Sequence, residues 1–91
     1  MIKHLNITVQ GKVQGVSYRV TTKAVADQLG VRGFVKNEPN GDVYIEAEAE
    51  ESLMEMFLEW CEEGPDPARV AAVTTSEGEL KNYRNFEVVK K

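Results

Sequence analysis

GFVKNEPNGDVYIEAEAE, residues 33–50, reads as two strands folded back on each other. Val31–Asn37 and Asp42–Ala49 are the arms, and EPNG, residues 38–41, joins them. Asn40-Gly41 is a strong hairpin signal because both residue types tolerate positive φ. Upstream, Gly30 stops a helix over Tyr18–Leu29, which puts Tyr18, Val25 and Leu29 on one stripe with Ala24 beside them. Before that helix, Gly11–Ser17 is loop. Lys3–Gln10 alternates, with Leu5, Ile7 and Val9 on one face and His4, Asn6, Thr8 and Gln10 on the other, as a half-buried strand does. Downstream, Ser52–Glu63 is a second helix with Leu53, Met54, Phe57, Leu58 and Cys61 along one face. Ser52 and Glu55 have the spacing of a capping box, and Gly64-Pro65 ends the helix. Arg69–Thr75 and the short Asn85–Val89 complete the set as strands.

The order is β-α-β-β-α-β with an extra terminal strand. Each helix carries a single apolar stripe and needs a sheet to bury it against. The expectation is an α+β fold, a ferredoxin-like two-layer sandwich: an antiparallel sheet in split β-α-β order with both helices on one face. Strands one and two are then parallel, joined by a right-handed crossover through the first helix, with strand three between them. The end of strand one, the loop after it, the start of helix one and the end of strand two share one edge of the sheet. Two strand spacings, about 10 Å, separate the strand ends. Arg19 and Asn37 both fall on that edge.

Residues 1–91 are expected to form one domain, within the size range that folds without staples. An apolar share of 42% is globular, and no window is long and apolar enough to span a membrane. MIKHLNITVQ alternates and lacks the apolar core of a secretion signal. Cys61 is the single cysteine and forms no internal disulfide, so a cytoplasmic address is the default. Fifteen acids against eleven bases give a net charge of -4. That balance disfavours nucleic acid and other polyanions bound through bulk charge, and still allows a small anion in a local pocket. A monomer is the default.

GKVQGVSYRV, residues 11–20, sets two glycines around a loop and then Arg19 in the first turn of a helix. A cation is disfavoured there, because the free N–H groups already form a positive end. A loop feeding a helix start lets successive N–H groups converge on one anion, and Gly15 leaves room for close approach. Arg19 would add a planar fork for two phosphate oxygens. The alternative is that Gly11 and Gly15 only turn the chain and Arg19 points into water. Asn37 has two readings as well. It either belongs to the turn, bonding its own backbone, or offers an uncharged donor and acceptor that holds a water against a bound phosphate.

Taken together, GKVQGVSYR and GFVKNEPNGDVYIEAEAE strongly resemble the acylphosphatase family, whose pattern is G-x-V-Q-G-V-x-F/Y-R followed by G-W/F-V-x-N and a G-x-V after a turn. The resemblance extends through EWCEEGPDPARV and NYRNFEVV and so covers essentially the whole chain. It implies a small ferredoxin-like enzyme that hydrolyses the carboxyl–phosphate bond of acyl phosphates, releasing inorganic phosphate, without a metal or organic cofactor. It implies that Arg19 binds the phosphate, that the backbone amides of Gly15, Val16, Ser17 and Tyr18 cradle it, and that Asn37 positions the attacking water. Tyr18, Phe34 and Lys36 depart from the commoner phenylalanine, tryptophan and arginine, and AEAEESL lacks a glycine often found before the second helix.

The remaining polar residues read as structural. His4 is expected on the polar face of strand one, and Glu46, Glu48 and Glu50 on a solvated face of strand three. Arg32, Arg69 and Arg84 read as surface charges, Cys61 as packing, and Met54, Phe57 and Leu58 as core. Two rivals remain. One is a catalytically idle module that holds a phosphorylated or carbamoylated metabolite in the same pocket. The other is an RNA-binding domain, which would need more aromatics and bases on its strands than this chain carries.

Overall fold

The hairpin forms with arms Arg32–Asn37 (β2) and Val43–Glu50 (β3), in a computed structural model that describes residues 1–90. At the turn, Gly41 N–H donates to the Glu38 carbonyl and Glu38 N–H to the Asp42 carbonyl. Gly41 alone takes a positive φ, 99°, while Asn40 accepts from Asp42 N–H through its side chain. Both residues act in the turn, but by different means.

Ile2–Lys12 (β1) precedes the first helix, Tyr18–Leu29 (α1). Glu51–Glu63 (α2) follows the hairpin, then Arg69–Glu77 (β4) and Phe86–Val89 (β5). The sheet order is β4-β1-β3-β2-β5. β1 and β2 both pair antiparallel with β3, so they run parallel to each other with β3 between, as the split arrangement requires. β5 joins the free edge of β2 in parallel, which makes the five-stranded sheet mixed.

β1 outruns the sequence reading at its end. A bulge at Gln10–Gly11 lets the strand continue to Lys12 against Arg69 of β4, so the loop before α1 is shorter than Gly11–Ser17. Gly33 is required where it stands: its φ is 145°, and a Cβ would lie 1.8 Å from the Glu46 carbonyl oxygen of the neighbouring strand.

The helices cover one face of the sheet, where Ile7, Val9, Val35, Val43, Ile45, Phe57 and Phe86 are buried together. The rings of Phe57 and Phe86 meet edge-on with centroids 6.0 Å apart. α2 buries Met54, Phe57 and Cys61 as its pattern predicts. α1 differs. Its buried residues are Tyr18, Thr22 and Ala26, each four apart; Val25 and Leu29 are partly buried and Ala24 is exposed. Thr22 can lie inside because its hydroxyl donates to the Tyr18 carbonyl, 2.7 Å away. The capping box of α2 does not form either. The helix starts at Glu51, one residue early, which puts Ser52 inside the first turn, and the side chain of the cap residue Glu50 does not bond the helix end but accepts from the N-terminal amine at 2.9 Å.

Candidate active site

Four segments meet at the edge where β1 and β2 end. Val13, Gly15, Ser17, Tyr18, Arg19, Val20 and Asn37 line a cavity of about 110 Å³ there. Arg19 and Asn37, which lie far apart in sequence, thus face one small space. No carboxylate is among the lining residues.

The loop is built for close approach. Gly15 has φ 72°, with nothing within 4 Å of the place its Cβ would occupy. Ser17, the residue before α1, is also left-handed, with φ 63° and ψ 23°. For a non-glycine residue that conformation costs about 1–2 kcal/mol, and strain of this kind concentrates at ligand sites. Gly15, Val16 and Ser17 N–H groups donate to no backbone carbonyl among the described residues. The first turn of α1 contains no acidic residue, and the cap makes no side-chain bond, so the positive end of the helix is uncompensated by the chain itself.

Two side chains fix this loop. Gln14 sends its amide Nε2 to the carbonyl oxygens of Glu38 and Asp42, 2.8 Å to each, tying the loop to the hairpin turn that follows Asn37. Sequence assigns Gln14 no separate role, because its partners Glu38 and Asp42 lie more than twenty residues away in the hairpin turn. Tyr18 is buried, donates its hydroxyl to the Cys61 carbonyl at 2.7 Å and packs on Trp60, so its side chain anchors the loop to α2. Burial first, and then the neighbouring Cys61 side chain, push its phenol well above the ordinary tyrosine range.

Arg19 is partly buried, and its Nη1 donates to the Val89 carbonyl of β5 at 2.8 Å. It does not point freely into water. Four N–H donors of the guanidinium are left for other partners, from the five it carries. Asn37 Oδ1 is buried and accepts no hydrogen bond among the described residues. An unsatisfied buried acceptor costs about 1–3 kcal/mol. Asn37 therefore does not use this oxygen to stabilise the hairpin turn.

The chain belongs to the acylphosphatase family. The family model named Acylphosphatase matches residues 5–88. An acylphosphatase of Archaeoglobus fulgidus is 46% identical over 84 residues, covering 92% of this chain and 94% of its own. The crystal structure of acylphosphatase from Bacillus subtilis superposes with a TM-score of 0.94 at 32% identity, over 99% of this chain and 100% of that one. The same fold recurs inside full-length HypF in its phosphate- and nucleotide-bound form, with a TM-score of 0.88 and 29% identity, over 99% of this chain and 12% of that one. As an acylphosphatase family member the chain is a hydrolase. The glycine missing from AEAEESL is unneeded, since β3 runs into α2 through Glu50 at φ -57°.

Other polar residues are sorted by the structure. Burial pushes the Cys61 thiol up to about 12, so it stays protonated within the core. Arg32, Arg69 and Arg84 are exposed. Glu48, expected on a solvated face, is buried, as is His4. The segment between β4 and β5 crosses that face and covers them, which the strand pattern alone could not disclose. His4 Nδ1–H donates to Glu48 at 2.7 Å. Glu48 also accepts Lys81 N–H at 2.5 Å and Tyr83 N–H at 3.3 Å. Glu46 accepts from the hydroxyls of Tyr83 and Tyr44 at 2.6 and 2.8 Å. Burial opposes both charges, yet these donors outweigh it and hold both carboxyls below the usual range. A groove of about 380 Å³ lies beside this network, lined by Phe34, Tyr83, Arg84 and residues of β5. Neither Asn37 nor the glycine loop lines it.

Proposed function

We propose that this chain hydrolyses acyl phosphates with Arg19 and the amides of Gly15, Val16, Ser17 and Tyr18 binding the phosphoryl group, and Asn37 holding the attacking water. The observation that carries the reading is the shared cavity: one guanidinium, a glycine loop with free N–H groups and a buried, unpartnered amide oxygen line the same space. A water donating one hydrogen to Asn37 Oδ1 presents its lone pair to phosphorus. The water oxygen forms the new P–O bond, and the bond from phosphorus to the acyl oxygen breaks, its electron pair leaving with the carboxylate. A phosphate oxygen accepts the proton that the water gives up. A carboxylate leaves readily, so no strong acid is called for. The protein supplies position, and donors aimed at the equatorial oxygens as their charge redistributes.

No step of this scheme is assigned to a metal or organic cofactor. The chain is proposed to act as a single-domain cytoplasmic monomer on a small substrate, without nucleic acid or membrane. A rate assay with an aryl acyl phosphate tests the scheme, run with and without chelator. Release of carboxylate and phosphate in equal amounts, unaffected by chelator, is the expected result. Phosphate binding without turnover would favour the idle binding module instead. The likeness to one segment of HypF keeps that reading in view, since there the fold forms a small part of a larger chain.

A further inference from the structure

The polar network on the far face has a path to the cavity. β5 is a four-residue edge strand, bonded to a neighbour on one side only. Its Val89 carbonyl is the group that holds Arg19. The chain reaches β5 through residues 78–85, which contain no helix or strand and include left-handed Asn82 at φ 59°. This strap is fastened at one end by Gly78 N–H on the His4 carbonyl and at the other by Gly33 N–H on the Asn85 carbonyl. Between those points, its Lys81 and Tyr83 N–H groups both end on the Glu48 carboxylate. His4 donates to the same carboxylate from the strand beside it.

We propose that Glu48 is a positioning residue for Arg19: by fastening the middle of the strap it seats β5, and β5 aims the guanidinium through the Val89 carbonyl. The inference rests on the reading of Arg19 as the phosphate ligand. Its physical basis is that the other holds leave the middle of the strap's backbone unfixed: the Tyr83 hydroxyl on Glu46 ties a side chain, and buried Phe86 anchors β5 at its first residue. A short edge ladder frays readily when the chain entering it is loose, and local openings of this kind start where few buried contacts hold the backbone. Lys23 of α1 also reaches β5, through the Phe86 carbonyl at 3.0 Å, but it shares its amine with Asp27 and grips the strand at its first residue. Val89, at the other end, depends on the whole strand lying in place. Without Glu48 the N–H groups of Lys81 and Tyr83 lose their acceptor, and the strap no longer feeds β5 along one fixed path.

The test is the affinity of the full chain for inorganic phosphate, by calorimetry or NMR titration, in wild type and Glu48→Gln. The amide puts an NH2 group against N–H donors and should weaken phosphate binding roughly tenfold, about 1.4 kcal/mol. Met54→Ala, a cut in the α2 core, should lower the melting temperature and leave phosphate affinity within about twofold, the distinction that separates aim from general stability. In an Arg19→Ala background, Glu48→Gln should weaken binding no further, because the residue it acts through is gone. Unchanged affinity in Glu48→Gln, equal weakening in Met54→Ala, or additive losses in the double variant would each overturn the proposal. If Glu48→Gln does not fold, Glu48→Asp, which keeps the charge but withdraws it by one methylene, carries the same comparison. The Arg19 guanidinium signals give an independent readout: protected from exchange in wild type and exchanging rapidly in the Glu48 variant. Wild type that binds no phosphate while its Arg19 signals still respond to Glu48 would sink the functional reading and leave the positioning role standing.

Discussion

On the far face of the sheet every carboxylate oxygen of Glu46 and Glu48 receives a donor, whereas at the loop edge Asn37 Oδ1 is buried and receives none. Both regions are polar and largely enclosed, and residues of β2, β3 and β5 take part in or adjoin both. A filled set of hydrogen bonds makes a strut, while an unfilled one beside a guanidinium and free amides makes a receptor. Sequence alone does not show this difference: Glu46, Glu48 and Glu50 alternate as a solvated strand face would, and Asn37 keeps two readings.

The contrast can be broken most decisively at Arg19. Arg19→Ala should lower kcat/KM by about a thousandfold, the scale seen when a preorganised transition-state donor is lost. Arg19→Lys should recover little of it, because an ammonium cannot bond Val89 and two phosphate oxygens in one plane. Steady-state kinetics near wild type for either variant would move the receptor elsewhere. Asn37→Ala should lower kcat about a hundredfold, at the low end of general positioning effects, while phosphate affinity stays nearly intact. Because it removes an unsatisfied buried acceptor, it should also leave the melting temperature unchanged or raised. A drop in thermal stability there would show the asparagine to be a strut after all.

The strut itself can be sharpened with acid. Glu46 and Glu48 have folded-state pKa values below the ordinary 4.5. Groups shifted down add stability that is fully present above the unfolded value and is lost as pH falls through the folded one. Melting temperature should therefore hold near neutrality and fall below about pH 4.5, more steeply than in Glu48→Gln, where one of these groups is gone. Equal slopes would mean that the network contributes nothing on ionisation. The smallest effect belongs to Tyr18→Phe, which removes the hydroxyl bonded to the Cys61 carbonyl. It should cost about 1 kcal/mol, measured by denaturant unfolding, and leave turnover unchanged, as suits a residue whose family counterpart is often phenylalanine.

Most of the architecture is legible in the chain. Strict alternation in β1 and the turn between β2 and β3 are local signals, and local signals survive into the fold. The errors have tertiary causes. Thr22 replaced Ala24 inside α1 because a hydroxyl that bonds its own helix loses its penalty for burial. Glu48 reads as solvated, and His4, which does lie on the polar face, gives no sign of its burial, because nothing near them in sequence announces a segment crossing from more than thirty residues away. That Arg19, Gly15 and Asn37 would share one edge was visible through their spacing and family pattern, and they do line one cavity. Gln14's staple and Ser17's left-handed backbone were not visible, since each depends on where the loop meets the hairpin.

The oxygen that holds Arg19 belongs to the main chain. A carboxylate in its place would give a firmer grip but would also cancel the cation and compete with the incoming anion. A peptide carbonyl steadies the guanidinium and, on the proposed reading of Arg19, leaves its full charge for the phosphoryl group. Such a hold is also silent in sequence: almost any side chain can occupy position 89, provided the backbone arrives there.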